Sequence, residues 1–389
     1  MTGKPVTIML VAGETSGDLL GAQLMAGLKA LGGPGLRIVG VGGPAMTREG
    51  LTSLFPLDAT AVMGLREVIP AIPRILARVK QAADFAVETK PDALVLIDSP
   101  DFTHRIARAV KKRDPGIRTV NYVAPQVWAS RAYRAKEMAR YFDLVLALFP
   151  FEVPFFQRYG LKAAFTGHPV IERRVAMTGG AALRQRLGIA ADAPVLALLP
   201  GSRTSEIRFI FPVFRQAVGI LAQKIPGLVT LLPTVPHVAA KVRAGADNWP
   251  TPLHILEGET DKYAAFDAAN AALAASGTVT AELALARTPM VVAYKVGAVT
   301  YALAGWMMTS PFMTLVNVLL ERSAVPEFKQ YAATPEALAD AVAQLFTNAE
   351  AAAQQRQAFD EFAHRLGEGD EPPSTRAART LLEFISANP

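Results

Sequence analysis

The sequence has no cysteine among its 389 residues. Disulfides, thiolate metal sites and a cysteine nucleophile are therefore excluded, which removes several classes of enzyme. Only three tryptophans are present and no block of five or more basic residues occurs, so no feature demands a nucleic-acid partner. The basic excess is mild, with 40 Lys and Arg against 34 Asp and Glu. Such a balance suits an anionic partner, for example a phosphate group or an acidic membrane surface.

Long uninterrupted apolar runs are also missing, although 51% of the residues are hydrophobic. The best candidate for a membrane span, residues 296–320, is broken by Pro311, whereas a span needs about 20 nearly continuous apolar residues. The apolar run Val6–Ala12 is too short for a secretory signal. We therefore expect a first β-strand there and a cytoplasmic protein.

Short apolar runs alternate with longer helical patterns along the chain, which indicates parallel sheets covered on both faces. Two such series predict two doubly wound α/β domains facing each other. We place an N-terminal domain at 1–170, a C-terminal domain at 171–364 and a helical tail at 365–389, with a linker candidate at Pro169–Gly188. The runs are Val6–Ala12, Arg37–Val41, Ala93–Ile97, Thr119–Val123, Leu144–Leu148, Val195–Leu199, Val229–Leu232, Ala271–Ala274 and Met290–Tyr294.

Two strand ends in the first half carry polar side chains. The first strand runs into Gly13–Asp18, where backbone N–H groups at a helix start could meet an anion or a sugar; a turn capped by Thr15 or Ser16 is the alternative. Asp98 follows the strand that ends at Ile97, where ligands bind in such folds, and is a candidate general base. Its alternative is a helix cap, a role that Asp101 fits better. The sequence contains neither the Asp-x-Asp motif of metal-dependent sugar transferases nor a paired-His motif, so we predict no metal.

A third strand end leads into an aromatic and basic segment with Trp128, Arg131 and Arg134. The two arginines are three residues apart and would share a helix face, which suits a phosphate clamp. A solvated basic helix is the alternative. His168 fits a hydrogen-bonded hinge residue better than a catalytic one.

The second half offers two candidate phosphate sites. Ser202 and Arg203 follow a strand, and a guanidinium beside exposed N–H groups can bind two phosphate oxygens; an ion pair of Arg203 with Glu206 is the alternative. Ser276, Gly277 and Thr278 open a helix, with Glu282 one turn further placed for a ribose diol. The alternative is a turn capped by Ser276 or Thr278.

The segment from Met63 to Val79 combines apolar and basic residues. Ile69, Ile72 and Leu76 supply apolar surface, and neighbouring arginines could meet anionic head groups. We expect peripheral membrane binding through these residues. An ordinary surface helix, kinked by Pro70 and Pro73, is the alternative.

Several of these blocks, in this order, resemble the lipid-A-disaccharide synthase family along nearly the whole chain. The matching blocks are Ala12–Asp18, Val62–Gly64 with Glu67 and Val68, Ile97–Phe102, Tyr122 and Val123 with Pro125 and Val127–Ala129, Phe151 and Glu152, Gly167 and His168, Leu199–Arg203, Ser276–Thr278 with Glu282, and Pro289–Val292 with Tyr294. The resemblance implies the GT-B fold, in which two Rossmann-like domains face each other across a cleft.

The resemblance also implies an inverting, metal-independent glycosyltransferase without cofactor. It would move 2,3-diacylglucosamine from UDP onto the 6-hydroxyl of 2,3-diacylglucosamine 1-phosphate, at the cytoplasmic face of the inner membrane, and give a β-1,6 disaccharide. Asp98 would be the general base. The donor residues would be Ser202, Arg203, Ser276, Gly277, Thr278, Glu282, Asn317 and Gln330, and the acceptor residues Glu14, Ser16, Gly17, Asp18, Trp128, Arg131 and Arg134.

The chain departs from the family pattern at two positions. Ser130 stands where the family usually has a second Trp, and Val316 where it usually has Pro, which bears on acceptor and uridine contacts. Three alternatives remain open: an enzyme like UDP-N-acetylglucosamine 2-epimerase, one like the lipid II-forming glycosyltransferase, and a non-catalytic lipid-binding protein. The quaternary state is open as well, a homo-oligomer included.

Overall fold

The chain divides into two compact units. The structure, a computed structural model, describes residues 5–57, 65–125, 133–297, 311–369 and 371–387, and only the backbone of residues 65–71. The first unit comprises Met1–Pro169 together with Leu366–Pro389, and the second comprises Val170–Arg365. The C-terminal residues therefore belong to the same unit as the N-terminus.

The first unit contains a six-stranded parallel sheet with the strand order β2-β1-β3-β4-β5-β6. The central strand β3 is buried along its whole length, as expected for a strand covered on both faces. The strands are β1 (Val6–Ala12), β2 (Leu36–Val41), β3 (Ala93–Ile97), β4 (Thr119–Tyr122), β5 (Leu144–Ala147) and β6 (Ala163–Phe165). The helices are α1 (Thr15–Gly32), α2 (Pro44–Arg48), α3 (Leu65–Thr89), α4 (Pro100–Arg113), α5 (Tyr133–Met138) and α6 (Glu152–Gln157).

The second unit repeats this architecture with a second six-stranded parallel sheet. Its strands, in the order β12-β11-β10-β7-β8-β9, are β7 (Val195–Leu199), β8 (Val229–Thr234), β9 (Leu253–Glu257), β10 (Ala271–Ala275), β11 (Met290–Tyr294) and β12 (Glu327–Lys329). A 3-10 segment (Pro169–Ala176) leads from the first unit into the second. Its helices are α7 (Gly180–Arg186), α8 (Thr204–Phe209), α9 (Phe211–Lys224), α10 (Pro236–Gly245), α11 (Glu259–Ala268), α12 (Val279–Leu285), α13 (Leu315–Leu320), α14 (Pro335–Thr347) and α15 (Ala349–Arg365).

The chain returns to the first unit through α16 (Pro373–Ser386), which packs against α1. The contact is close because Gly27 of α1 has no side chain: a Cβ there would lie 2.9 Å from the Ser374 carbonyl oxygen. Arg118 fixes the end of α16 by donating a hydrogen bond of 2.6 Å to the carbonyl oxygen of Ile385.

The predicted doubly wound α/β class is confirmed in both units. The nine apolar runs are all strands, and the predicted helical tail at 365–389 contains α16. Three short strands, β6, β9 and β12, were missed. They lie at the edges of the sheets and are only partly buried, so their sequences lack a continuous apolar run. The stretch proposed as a linker holds the 3-10 segment and α7.

Candidate active site

The turns after β1 and β3 lie side by side at the carboxyl edge of the first sheet, because Ala12 pairs with Ile97 where these strands end. Ser16 Oγ donates a hydrogen bond of 2.8 Å to Asp98 Oδ2. Ser99 Oγ donates a longer one, of 3.4 Å, to Glu14 Oε1. Glu14, Ser16 and Asp98, predicted from two distant segments, thus meet at one edge.

The backbone at Asp98 is strained. Asp98 and Ser99 have φ values of +53° and +44°, in the left-handed region that costs other residues than glycine about 1 to 3 kcal/mol each. The Asp98 N–H donates to the carbonyl oxygen of Tyr122 at 3.0 Å, and Thr103 Oγ1 donates to that of Asp98 at 2.7 Å. These bonds hold the backbone of the turn in place, and the hydrogen bond from Ser16 orients the Asp98 carboxylate.

Two glycines allow the turns to approach each other. A Cβ on Gly13 would lie 2.6 Å from Ser99 Oγ, and one on Gly17 would lie 3.1 Å from the carbonyl oxygen of Ile97. Gly17 is buried in the first turn of α1. Both positions therefore serve the packing of the turn on which Ser16 stands.

Asp18 is buried beneath the same turn. Its Oδ1 accepts hydrogen bonds from the N–H groups of Gly43 at 2.7 Å and Met46 at 3.0 Å, and its Oδ2 accepts one from Ala45 at 2.8 Å. The side chain thus binds the open N–H groups at the start of α2. Only 2% of Asp18 is exposed, so the carboxylate is committed to the protein.

The expectation that Asp101 caps α4 is wrong. The N-cap is Ser99, without a side-chain cap, and Asp101 lies exposed in the first turn of the helix. Its negative charge there is favourable to the helix dipole. Asp98 caps no helix either, which leaves its carboxylate bonded to Ser16.

The remaining candidates of the first unit lie on other segments. Trp128 and Arg131 fall outside the described residues. Arg134 lies in α5, and its charge acts on His104 of α4. The His168 N–H donates to the carbonyl oxygen of Leu366 at 2.9 Å, and its ring lies against Phe149. The two contacts of His168 join separate segments of the chain, in line with the structural role expected for this residue.

In the second unit, the turn at Ser202 and Arg203 lacks the exposed N–H groups that the sequence predicted. The N–H groups of Ser202 and Arg203 are not open, because both donate to Glu206 Oε2, at 2.8 Å and 3.1 Å. The Arg203 guanidinium also pairs with Glu206 Oε1 at 3.1 Å, the ion pair considered as the alternative. The guanidinium side chain remains 73% exposed, so it can still meet an anion.

The turn after β10 provides open N–H groups. Ser276 N–H continues the strand pairing to the carbonyl oxygen of Ala293 at 3.0 Å. Gly277 and Thr278 are exposed, and within the described ranges their N–H groups have no hydrogen-bond partner. Thr278 is the N-cap of α12 without a side-chain cap, so the alternative of a capped turn is wrong. A Cβ on Gly277 would meet nothing within 4 Å, which marks an open surface.

Glu282 is the buried centre of an ionic cluster. Its Oε1 accepts from Arg173 Nη1 at 3.0 Å and from Tyr263 Oη at 3.2 Å, and its Oε2 accepts from Lys262 Nζ at 2.9 Å. The single Tyr263 proton is shared with Glu259, whose Oε1 lies 2.9 Å from the Tyr263 hydroxyl oxygen. Burial, together with Glu282 and the hydrogen bond to Glu259, raises the pKa of the Tyr263 hydroxyl well above its usual value, so this group stays a donor.

Asn317 and Gln330 are buried and bind the backbone of neighbouring loops. The amide oxygen of Asn317 accepts from the N–H groups of Ala324 and Val325 at 2.8 Å and 2.9 Å, and its nitrogen donates to the carbonyl oxygen of Val325. Gln330 binds the N–H and the carbonyl oxygen of Val296 at 3.1 Å and 2.9 Å. Both side chains thus have the contacts of residues that hold loops in place.

Comparison with known proteins identifies the family. Residues 8–379 match the family model described as lipid-A-disaccharide synthetase. The lipid-A-disaccharide synthase of Rhodospirillum centenum is 45% identical over 383 residues, covering 98% of this chain and 96% of that protein. The chain belongs to the lipid-A-disaccharide synthase family. It is accordingly an enzyme of the glycosyltransferase class.

Solved structures show the same fold at low sequence identity. A UDP-GlcNAc 2-epimerase from Neisseria meningitidis, bound to UDP-GlcNAc, matches with a TM-score of 0.64 and 13% identity, over 98% of this chain and 100% of that chain. A MurG structure from Acinetobacter baumannii matches with a TM-score of 0.56 and 18% identity, over 98% and 100% of the two chains. These likenesses confirm the GT-B class of fold. At the level of sequence, the family model and the curated relatives reported above are those of lipid-A-disaccharide synthase.

Sequence reasoning missed the partners of several site residues. Arg173 was noted only as part of a linker, and Lys262 and Tyr263 were not considered, because these residues are remote in sequence from Glu282. Glu327, which accepts four hydrogen bonds from Met313, Thr314 and Asn317, was also missed. No local pattern marks such residues, since their contacts arise only when the second sheet has formed.

Proposed function

We propose that the chain transfers 2,3-diacylglucosamine from UDP to the 6-hydroxyl of 2,3-diacylglucosamine 1-phosphate. The hydroxyl oxygen bonds to the anomeric carbon as the bond from that carbon to UDP breaks, and the hydroxyl proton passes to Asp98. The observation that carries the proposal is the Asp98 carboxylate, fixed by Ser16 at 2.8 Å on a strained turn at the sheet edge. A carboxylate held within reach of a hydroxyl can act as a general base.

In this proposal Glu14 and Ser16 line the acceptor site together with Asp98. Gly17 and Asp18 act from below, since Gly17 allows close packing and Asp18 fixes the start of α2. Trp128, Arg131 and Arg134 remain proposed acceptor residues on the ground of the family resemblance.

The donor is proposed to bind the second unit. The open N–H groups of Gly277 and Thr278 suit a phosphate group, and the exposed guanidinium of Arg203 can add a charged contact. These turns follow adjacent strands, because Leu199 of β7 pairs with Ala274 of β10. The Neisseria epimerase, which has a similar fold, is bound to a UDP-sugar in its structure. Glu282 has three protein donors already, which leaves it capacity for about one more contact from a ribose hydroxyl. Asn317 and Gln330 would shape the donor site through the loops they hold.

The reaction is tested by measuring UDP release from the purified chain. UDP should appear only when the UDP-linked diacyl sugar and the acceptor 1-phosphate are both present, with an equal amount of disaccharide. UDP release without an acceptor would point to an epimerase-like or hydrolytic reaction, and no release at all would contradict the proposal.

Replacing Arg203 by Ala should weaken UDP binding about tenfold, because an exposed charge-assisted contact contributes about 1.5 kcal/mol. The affinity is measured by titration calorimetry. Arg208→Ala, a change of the same residue type within α8, is the matched control. Equal UDP affinity of the two variants would remove Arg203 from the donor site.

We also propose that α3 docks the enzyme on the cytoplasmic face of the inner membrane. No helix in the described part of the chain is long and apolar enough to cross a bilayer. Ile72 and Leu76 are 43% and 46% exposed on the N-terminal half of α3, although large apolar side chains are usually buried. Arg74 and Lys80 are exposed on the same helix and could meet anionic head groups. The side chain of Ile69, the third predicted contact, lies outside the described residues.

The double variant Ile72→Ser/Leu76→Ser should lose most of its co-sedimentation with anionic vesicles, because the exposed apolar surface of α3 is removed. Val175→Ser is the control, since it removes an apolar side chain that is 86% exposed on the second unit. Unchanged sedimentation of the folded double variant would exclude α3 as the membrane contact.

A further inference from the structure

A pocket on the first unit is lined mainly by cations. It has a volume of about 500 Å³ and lies between α4 and residues 137–141, at the end of α5 and directly after it. We propose that this basic pocket binds a phosphate group, carried either by an anionic phospholipid or by a soluble ligand. The pocket is lined by Arg108, Lys111, Lys112, Glu137, Arg140 and Tyr141. None of these residues belongs to the acceptor or donor sites proposed above.

Two of the cations are held in place by the protein. Arg108 Nη2 donates to Tyr141 Oη at 3.2 Å, and its guanidinium carbon lies 4.6 Å from the centre of the Tyr141 ring. The side chain of Lys111 is only 16% exposed and pairs with Asp143 at 2.8 Å. Positioned cations lose little side-chain entropy when an anion arrives, which favours binding.

The other two cations have no counter-charge among the described residues. Lys112 and Arg140 are exposed, and neither forms an ion pair with another described residue. The single carboxylate of the pocket, Glu137, lies 3.4 Å from Arg108. With Asp143, which pairs with Lys111, the four cations face two carboxylates, and the excess of two positive charges suits an anion with two negative charges.

Buried His104 lies beside Tyr141, one of the residues that line the pocket. Its Nδ1 lies 3.2 Å from Tyr141 Oη, and no described residue bonds its Nε2. Burial, with the charges of Arg108 and Arg134, lowers the pKa of His104 from 6.5 to about 3. The imidazole is therefore neutral at physiological pH, and its Nδ1 can accept a hydrogen bond from the Tyr141 hydroxyl. The Tyr141 oxygen in turn accepts the hydrogen bond from Arg108.

The pocket lies away from Asp98. Asp143, the partner of Lys111, bonds the N–H of Thr119 at 2.7 Å, at the amino end of β4. Asp98 follows the carboxyl end of the neighbouring β3. Because the strands are parallel, these two positions belong to opposite edges of the sheet. A phosphate in the basic pocket is thus separate from the reacting sugars.

The test uses the full-length chain and the double variant Lys112→Ala/Arg140→Ala. The exposed positions of both residues predict little effect on folding. The control is Arg158→Ala/Lys162→Ala, which removes two exposed cations elsewhere on the same unit. Pyrophosphate is titrated by calorimetry in the presence of saturating UDP. Flotation with phosphatidylglycerol vesicles, compared with phosphatidylcholine vesicles, forms the second arm.

We expect the pocket variant to bind pyrophosphate about tenfold more weakly than the control, because two charge contacts are lost. A matching loss of flotation with phosphatidylglycerol vesicles would identify a lipid head group as the ligand, and unchanged flotation would identify a soluble phosphate. Equal binding by the pocket and control variants in both arms would overturn the proposal. The pocket variant and the control variant have the same donor site. A difference in pyrophosphate binding between them therefore does not depend on that site.

Discussion

Replacing Asp98 by Asn should lower the rate of sugar transfer about a hundred- to ten-thousandfold, the usual cost of losing a general base. The change preserves the size of the side chain and removes the basic oxygen. In an inverting transfer the acceptor hydroxyl must lose its proton as the new bond forms, and Asp98 is the carboxylate that Ser16 orients at the sheet edge. The rate is measured as UDP release with saturating donor and acceptor.

Two measurements separate loss of the base from a general defect. UDP affinity should stay near the wild-type value, because the proposed donor residues belong to the other unit. Asp101→Asn is the matched control, since Asp101 lies exposed on the next helix and caps nothing. A variant at Asp98 with near-normal turnover would rule this residue out, and His168→Asn would then be the next variant to measure.

The position of Asp98 could be predicted from sequence because it depends on one local rule. An apolar run followed by a carboxylate places that carboxylate at the carboxyl edge of a parallel sheet. The bond to Ser16, by contrast, depends on the pairing of β1 with β3, which are separated by more than 80 residues. The apolar runs indicate parallel sheets but do not state which strands are neighbours.

The roles of buried polar residues were harder to predict than their positions. Asp18 and Asn317 were expected to touch substrates, yet each has its oxygens bonded to backbone N–H groups. A polar residue in a matching block can bind a ligand or support the loop that does so, and sequence alone does not separate these cases. The structure separates them by burial and by the hydrogen bonds already formed.

The largest effect on stability is expected from Glu282→Gln. Glu282 is 6% exposed and receives hydrogen bonds from Arg173, Lys262 and Tyr263, so its loss would leave two cations without their carboxylate. Removing one partner of a fully buried pair costs about 3 to 5 kcal/mol. The side chains of Arg173 and Lys262 are 31% and 25% exposed, and water can solvate them in part. We therefore expect the free energy of unfolding to fall by about 2 to 3 kcal/mol, measured by urea denaturation.

Glu259→Gln is the control for this prediction, because it removes the same charge from an exposed residue of the same cluster and should cost less than about 1 kcal/mol.

The double variant Glu282→Gln/Lys262→Met removes the carboxylate together with one of the cations that it pairs with. Its loss of stability should be smaller than the sum of the two single losses, because residues of one ionic network are coupled. Additive losses would show that Lys262 and Glu282 contribute independently. If Glu282→Gln weakened UDP binding at unchanged stability, the carboxylate would serve the ligand alone, and the cluster would not hold α11 and α12 together.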